Sequence, residues 1–259
     1  MTGFAACPCA ERAHVENDSF EADTCAIIAA GGLGSRFGDE RGKQYVSLCG
    51  LPVAAWSVLA FDRAPSVAQI VVVCPAGRID ETRDAILGKM ALTTPVSFVI
   101  GGATRQDSVF AGLEASRADL GLVAIHDAAR PLITVEAIEK ALVVVREDAQ
   151  LAGAICASRV TDTLKVVEGD VIVSTPDRAY YWAAQTPQVF RRAAVLSAHR
   201  IARRDEFVGT DDASLVERQG GLVKCVETSR DNIKITVPED LAVAEATLRS
   251  RLAAEGCGL

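Results

Sequence analysis

The 259-residue sequence predicts an α/β fold: a mostly parallel sheet covered by helices on both faces. Two observations carry that prediction. Short, continuous apolar runs alternate along the chain with longer segments of helical period, and the runs lack the polar alternation of a strand with one wet face. In order, TCAIIAA (24–30), QIVVVC (69–74), PVSFVI (95–100), LVAIH (122–126) and LAGAICA (151–157) read as buried strands. Between them, 52–63, 78–90, 105–117 and 134–149 carry apolar residues three to four apart and read as helices.

The alternation breaks between about 158 and 184. Here VTDTLKVV and DVIVST flank Glu168-Gly169-Asp170, the pattern of a hairpin projecting from the sheet as a β-arm. A two-stranded hairpin is marginal in water, so this arm is expected to pack on something, and a second subunit is the economical candidate. The chain then offers a helix at 189–203, a short helix at 212–219, strands LVKCVE (222–227) and NIKIT (232–236), and a closing helix. Pro238 followed by Glu239 and Asp240 starts that last helix, because proline fits the first turn and acids suit its positive end. With no repeat or low-complexity linker, the expected organisation is a single domain over 24–254 with the arm, preceded by a flexible acidic tail at 1–23. The tail has neither the basic start nor the apolar stretch of a secretory signal.

A net charge of −7 argues against a broad nucleic-acid surface while leaving room for a local cationic pocket. No apolar run approaches the ~18 residues of a membrane span. Eight cysteines include no C-x-x-C pair, and Cys25, Cys74, Cys156 and Cys225 fall inside apolar, strand-like runs where a thiol acts as a small hydrophobe. Reduced, structural cysteines are therefore expected, and with them a reducing, cytoplasmic location.

Three loops carry the chemistry. The first strand runs into Gly31-Gly32-Leu33-Gly34-Ser35-Arg36-Phe37-Gly38, with Lys43 close behind. Backbone N–H groups of such a loop approach phosphate oxygens. The dinucleotide fingerprint fails because Phe37 stands where its third glycine belongs and the second strand ends in Cys74-Pro75 rather than an acid. The Walker pattern fails because Gln44 follows Gly42-Lys43. What remains is a phosphate loop with two fixed cations, which suits attack at phosphorus, or else a glycine-rich turn with surface cations. Gly101 to Ser108 follows the third strand and opens a helix; it suits base and ribose recognition, or a helix cap built on Thr104 or Asp107. His126-Asp127-Ala128-Ala129-Arg130-Pro131 ends the fourth strand, where open sheets bind ligands. Asp127 there suits Mg²⁺, or pairs with Arg130 as a cap, and His126 reads as structural. Thr210-Asp211-Asp212 and Asp231-Asn232-Ile233-Lys234 are weak signals alone.

Taken together and in order, AAGGLGSRFG…GKQY, GGATRQDSV, HDAARP, VTDTLK, TPQVF, TDDAS and DNIKIT closely resemble the 2-C-methyl-D-erythritol 4-phosphate cytidylyltransferases of the non-mevalonate isoprenoid pathway. The resemblance spans residues 26 to about 245. It implies a Rossmann-like sheet of the nucleotide-diphospho-sugar transferase type and a homodimer formed through the arm. It also implies that CTP and methylerythritol phosphate are converted to the CDP-linked alcohol and pyrophosphate with Mg²⁺ or another divalent cation. By the same resemblance Arg36, Lys43 and Lys234 are catalytic, and Ala30, Gly31, Gly32, Gly34, Gly102, Ser108 and Ala128 hold CTP. Asp127, Arg178, Thr186, Thr210 and Lys234 contact the acceptor, with Arg178 and Thr186 reaching across from the partner's arm, and Asp127 serves the metal. The sequence departs from the family pattern at the A-A-G-G strand end, at Ala103 where relatives are often acidic, and in the tail. None of these departures touches the cations or Asp127. The alternatives are transfer to another polyol phosphate such as ribitol 5-phosphate, a uridylyl- or guanylyltransferase, and a non-catalytic nucleotide-binding protein.

Overall fold

A computed structural model describes residues 22–32, 37, 42–88 and 90–256. All but the last two residues of the expected tail lie outside them, as do Gly34 and Arg36. In chain order the elements are β1 (Thr24–Ala29), β2 (Ser47–Leu48), β3 (Leu51–Pro52), α1 (Val53–Asp62), β4 (Val67–Cys74), α2 (Ile79–Leu87), β5 (Val96–Ile100) and α3 (Arg105–Ala115). There follow β6 (Leu122–Asp127), α4 (Val135–Glu147), β7 (Leu151–Arg159), β8 (Val166–Glu168), β9 (Val171–Ser174) and β10 (Trp182–Arg191). The chain closes with α5 (Arg192–Arg204), α6 (Asp212–Arg218), β11 (Leu222–Glu227) and α7 (Pro238–Ala254).

Seven strands form one sheet in the order β11-β7-β10-β6-β1-β4-β5. Every neighbouring pair is parallel except those made by β10, which runs antiparallel between β6 and β7. The apolar runs are continuous because both faces are covered. Ala26 and Ile28 of β1 pack with Phe61, Ile138 and Leu142 on one side, and Cys25 and Ile27 pack with Leu113, Phe190 and Val195 on the other. Alternate residues thus reach opposite cores, as the pleat requires.

Two expectations are corrected. The helix expected from 189 begins at Arg192, and the ten residues before it are a strand, β10, at the heart of the sheet. Val189 and Phe190 go to opposite cores, which an apolar pair beside a proline is too short to announce. NIKIT forms no strand. It crosses the end of β6 as an irregular strap, held by Ile235 N donating to Ala129 O at 2.8 Å and Arg130 Nη1 donating to Asn232 O at 2.7 Å. Its Ile235 is buried beside Leu48, Val53 and Leu132, so its apolar alternation reflects packing without a ladder.

The arm is the hairpin the sequence predicts. β8 and β9 pair antiparallel around Gly169, which turns at φ +58°, and every residue of both strands is exposed. All five cysteines among the described residues are free thiols, with Cys225 exposed because β11 is an edge strand. Among the described residues no helix is long and apolar enough to cross a membrane.

Candidate active site at the strand ends

The C-terminal ends of β1, β4, β5 and β6 open into a cleft of about 750 Å³, a size suited to a nucleotide. One wall is the turn after β1. Ala30 is held by Gln44, whose Nε2 donates to Ala30 O at 3.1 Å. An added Cβ at Gly32 would meet nothing within 4 Å, so packing does not demand glycine there, and the open space above its backbone is available to a ligand. At Gly102, by contrast, a Cβ would lie 2.3 Å from Asp107 Cβ; there glycine is required for the strand to turn into α3. Asp107 and Thr104 form a reciprocal capping box at that turn, so the cap reading of this loop holds alongside its place in the cleft wall. Ser108, which also lines the cleft, donates to Thr104 O at 2.9 Å.

The other wall is electrostatic. Asp127, the last residue of β6, presents its carboxylate to three cations. Lys234 Nζ is 2.8 Å from Oδ2, Arg105 Nε is 3.1 Å from Oδ1 and Arg130 Nε is 3.9 Å from Oδ2. Burial alone would raise its pKa, but Arg105 and then Lys234 outweigh burial and hold it well below the usual carboxylate range. Arg130 Nε is buried and makes no hydrogen bond among the described residues; it faces Asp127 Oδ2 at ion-pair distance only. Lys43 also lines the cleft, and its Nζ donates to Ile235 O at 2.6 Å.

Beneath Asp127, His126 is fully buried. Burial, the dominant cause, lowers its pKa to about 4, so the ring is neutral near pH 7. Thr186 Oγ1 accepts from Asp127 N at 3.0 Å and lies 3.0 Å from His126 Nδ1, while His126 Nε2 is 3.2 Å from Arg130 O. Because Nε2 faces the Arg130 carbonyl, which can only accept, the neutral ring carries its proton on Nε2, and Nδ1 accepts from the Thr186 hydroxyl. Asn232 completes the support by donating to Gln185 Oε1 at 3.0 Å and Thr186 O at 2.9 Å.

The structure therefore gathers Ala30, Gly31, Gly32, Lys43, Gly102, Ser108, Asp127, Ala128 and Lys234 around one cleft. Gly34 and Arg36 lie outside the described residues. Thr186 corrects an expectation: it is a buried residue of the body strand β10, bonded to Asp127 of its own chain, and does not reach in from an arm. Arg178 sits on an exposed turn at the base of the arm, where it donates to Thr161 O, and it does not line its own chain's cleft. Thr210 is exposed on the loop before α6. Sequence reasoning missed Arg105, which stood inside GGATRQDSV without distinction, and treated Arg130 only as a partner for Asp127. A basic residue at the first helical position, where cations are usually disfavoured, was the signal available for Arg105.

Among the described residues no three His, Cys, Asp or Glu side chains gather as a metal cage. Among the described residues the cleft has one carboxylate, and both of its oxygens already face cations. That donor set fits a Mg²⁺ held mainly by triphosphate oxygens and water rather than a resident protein-built site.

Comparison with known proteins places this geometry. A family model described as 2-C-methyl-D-erythritol 4-phosphate cytidylyltransferase matches residues 24–250. A protein of that name from Geobacter metallireducens is 41% identical over 230 residues, covering 88% of this chain and 98% of its own length. Another from Caldanaerobacter subterraneus is 43% identical over 225 residues, covering 86% and 98%. The crystal structure of 4-diphosphocytidyl-2C-methyl-D-erythritol synthase from Anaerococcus prevotii superposes with a TM-score of 0.76 at 30% identity, covering 87% of this chain and 96% of that one.

Proposed function

From the premise that this chain belongs to the 2-C-methyl-D-erythritol 4-phosphate cytidylyltransferase family, we propose how its cleft carries out the family's reaction. The protein is a nucleotidyltransferase: CTP and 2-C-methyl-D-erythritol 4-phosphate give 4-(cytidine 5'-diphospho)-2-C-methyl-D-erythritol and pyrophosphate. A phosphate oxygen of the acceptor attacks the α-phosphorus of CTP in line. One P–O bond forms, the bond from the α-phosphorus to the bridging oxygen breaks, and pyrophosphate leaves with the electron pair. The acceptor phosphate is already ionised near neutral pH, so no side-chain base is needed, and catalysis rests on positioning and electrostatics.

In this reading the backbone from Ala30 to Gly34, with Ala128, cradles the triphosphate, while Gly102 and Ser108 meet the base and ribose. Lys43, with Arg36, stabilises charge on the α-phosphoryl group. Lys234 and Arg130 bring the acceptor phosphate in, Asp127 meets the acceptor's hydroxyl end, and Thr210 adds a further polar contact. A Mg²⁺ ion held by the triphosphate oxygens beside Asp127 would supply charge neutralisation there. The observation that carries this reading is the Asp127 carboxylate ringed by Lys234, Arg105 and Arg130 at the end of β6, next to an open glycine turn. A carboxylate so oversupplied with positive charge leaves cations free for phosphate when it turns to a hydroxyl.

We also propose that the exposed arm is covered by a second copy and that the partner's Arg178 completes each cleft. Val166, Val167, Val171, Ile172 and Val173 are 45–68% exposed, an apolar surface that a lone chain leaves wet. The test of the reaction is pyrophosphate release from CTP and Mg²⁺ with methylerythritol phosphate and ribitol phosphate offered in parallel. Release with the erythritol compound alone is expected; release with ribitol phosphate alone would keep the chemistry and overturn the acceptor.

A further inference from the structure

Outside the ring around Asp127 lies a second, deeper charge pair. Asp212 opens α6 and its side chain is 1% exposed; its Oδ2 accepts from Arg105 Nη1 at 2.8 Å. Its Oδ1 accepts from His199 Nε2 at 3.0 Å, and the His199 side chain is 0% exposed. Phe110 stacks on the His199 ring with centroids 6.3 Å apart. A carboxylate taken this far from water must be neutralised by its neighbours, and Arg105 and His199 are the groups that face it. Arg105 therefore has one arm in the protein interior and one in the cleft, where Nε meets Asp127.

The next residue repeats the connection without charge. Gln106 Nε2 donates to Phe207 O and its Oε1 accepts from Gly209 N, both at 3.0 Å. From below, Gln188 donates to Asp211 Oδ2 at 2.7 Å and accepts from Ala213 N at 3.1 Å. The segment 207–213, which carries Thr210, is thus tied at one side to the first turn of α3 and at the other to β10. The first turn of α3 is also the wall containing Gly102 and Ser108.

We infer that Arg105, anchored by the buried Asp212–His199 pair, is a positioning residue that staples the nucleotide wall of the cleft to its acceptor wall. The inference rests on the function proposed above; it gives roles to Asp212 and His199, which that function had left idle, and a second one to Arg105. A helix cap alone would not need it: Asp211 already caps α6, accepting from Ser214 N at 2.9 Å. What Asp212 adds is a fixed guanidinium, so that Asp127 and the Thr210 loop keep one geometry relative to the nucleotide. His199 holds the other carboxylate oxygen and keeps Asp212 aimed at Arg105 rather than at its own helix.

Steady-state kinetics of Asp212→Asn, His199→Leu and His199→Gln against the wild type read the staple. Asp212→Asn and His199→Leu are expected to raise the acceptor KM about tenfold while the CTP KM moves less than about threefold. His199→Gln, which retains a donor, stays near wild type. Arg105→Gln should cost far less in the Asp212→Asn background than alone, because the two act as one unit. Equal shifts in both KM values, or a loss confined to melting temperature, would overturn the inference. The Arg105 Nε–H resonance in ¹⁵N-labelled protein provides a readout independent of turnover. It is expected to be protected from exchange in the wild type and to lose that protection in Asp212→Asn. Wild-type turnover with the erythritol compound tests the proposed function separately, and a resonance unchanged by Asp212→Asn defeats the staple whatever the acceptor.

Discussion

The cleft at the strand ends and the arm at 158–184 sit in opposite energetic conditions. In the cleft, the charged groups that the function needs are already answered by one another. Asp127 meets Lys234, Arg105 and Arg130, and in the interior behind it Asp212 meets Arg105 and His199. On the arm, Val171 is 68% and Ile172 58% exposed, and the hairpin bonds chiefly to itself. The cleft is preorganised through mutual charge satisfaction, whereas the arm leaves apolar side chains in water.

The sharpest way to break the comparison is to remove a cleft cation. Lys43→Ala is expected to cut turnover by about 10²–10³-fold. Its effect on stability should stay near about 1 kcal/mol, the worth of its bond to Ile235 O. Near-normal turnover would remove Lys43 from the catalytic machinery.

Preorganisation should also leave a mark on acid stability. His126 has a folded pKa of about 4 against an ordinary 6.5, so the unfolded chain binds its proton more tightly between those values. Stability is therefore lost as pH falls from about 6.5 towards 4, by about 3 kcal/mol in all from this group. Asp127 and Asp212, both held low, continue the loss at still lower pH. Urea midpoints of ligand-free wild type and His126→Gln across this range check it; a wild-type slope retained by the variant would assign the loss elsewhere.

The arm is tested by mixing. An equimolar mixture of Arg178→Ala and Lys43→Ala chains forms mixed dimers for about half its dimers, each with one intact shared site, so about a quarter of wild-type activity should return. Mixed dimers that form and stay inactive would confine Arg178 to its own chain. Sedimentation of Val171→Asp/Ile172→Asp should show monomers if the arm is the interface.

The smallest effect belongs to a residue outside both regions. Thr134 caps α4 by accepting from Ala137 N at 3.3 Å, so Thr134→Ala should cost about 1 kcal/mol in chemical denaturation and leave turnover unchanged. A turnover loss there would show that the cleft is less insulated from the scaffold than its hydrogen bonding implies.

Much of this was legible in the chain itself. Five continuous apolar runs with helical segments between most of them determined the parallel sheet, because strands buried on both faces leave no polar alternation. Glycines after β1 and β5 and the acid ending β6 marked the cleft, because open sheets bind ligands at those ends. Residue order also determined the arm, whose turn at Gly169 is local chemistry. Tertiary structure decided the rest. Only pairing with both β6 and β7 makes 182–191 a strand, and that pairing brings Thr186 under Asp127 of its own chain instead of a partner's. The strap at 232–236 looks like a strand in sequence and becomes one side of the site because Ile235 finds a core and no ladder. Arg105 and Asp212 stand 107 positions apart, and no local pattern announces that two charges so distant will neutralise each other away from water. Periodicity reports which face of an element is buried; which charges meet there depends on how the elements are stacked.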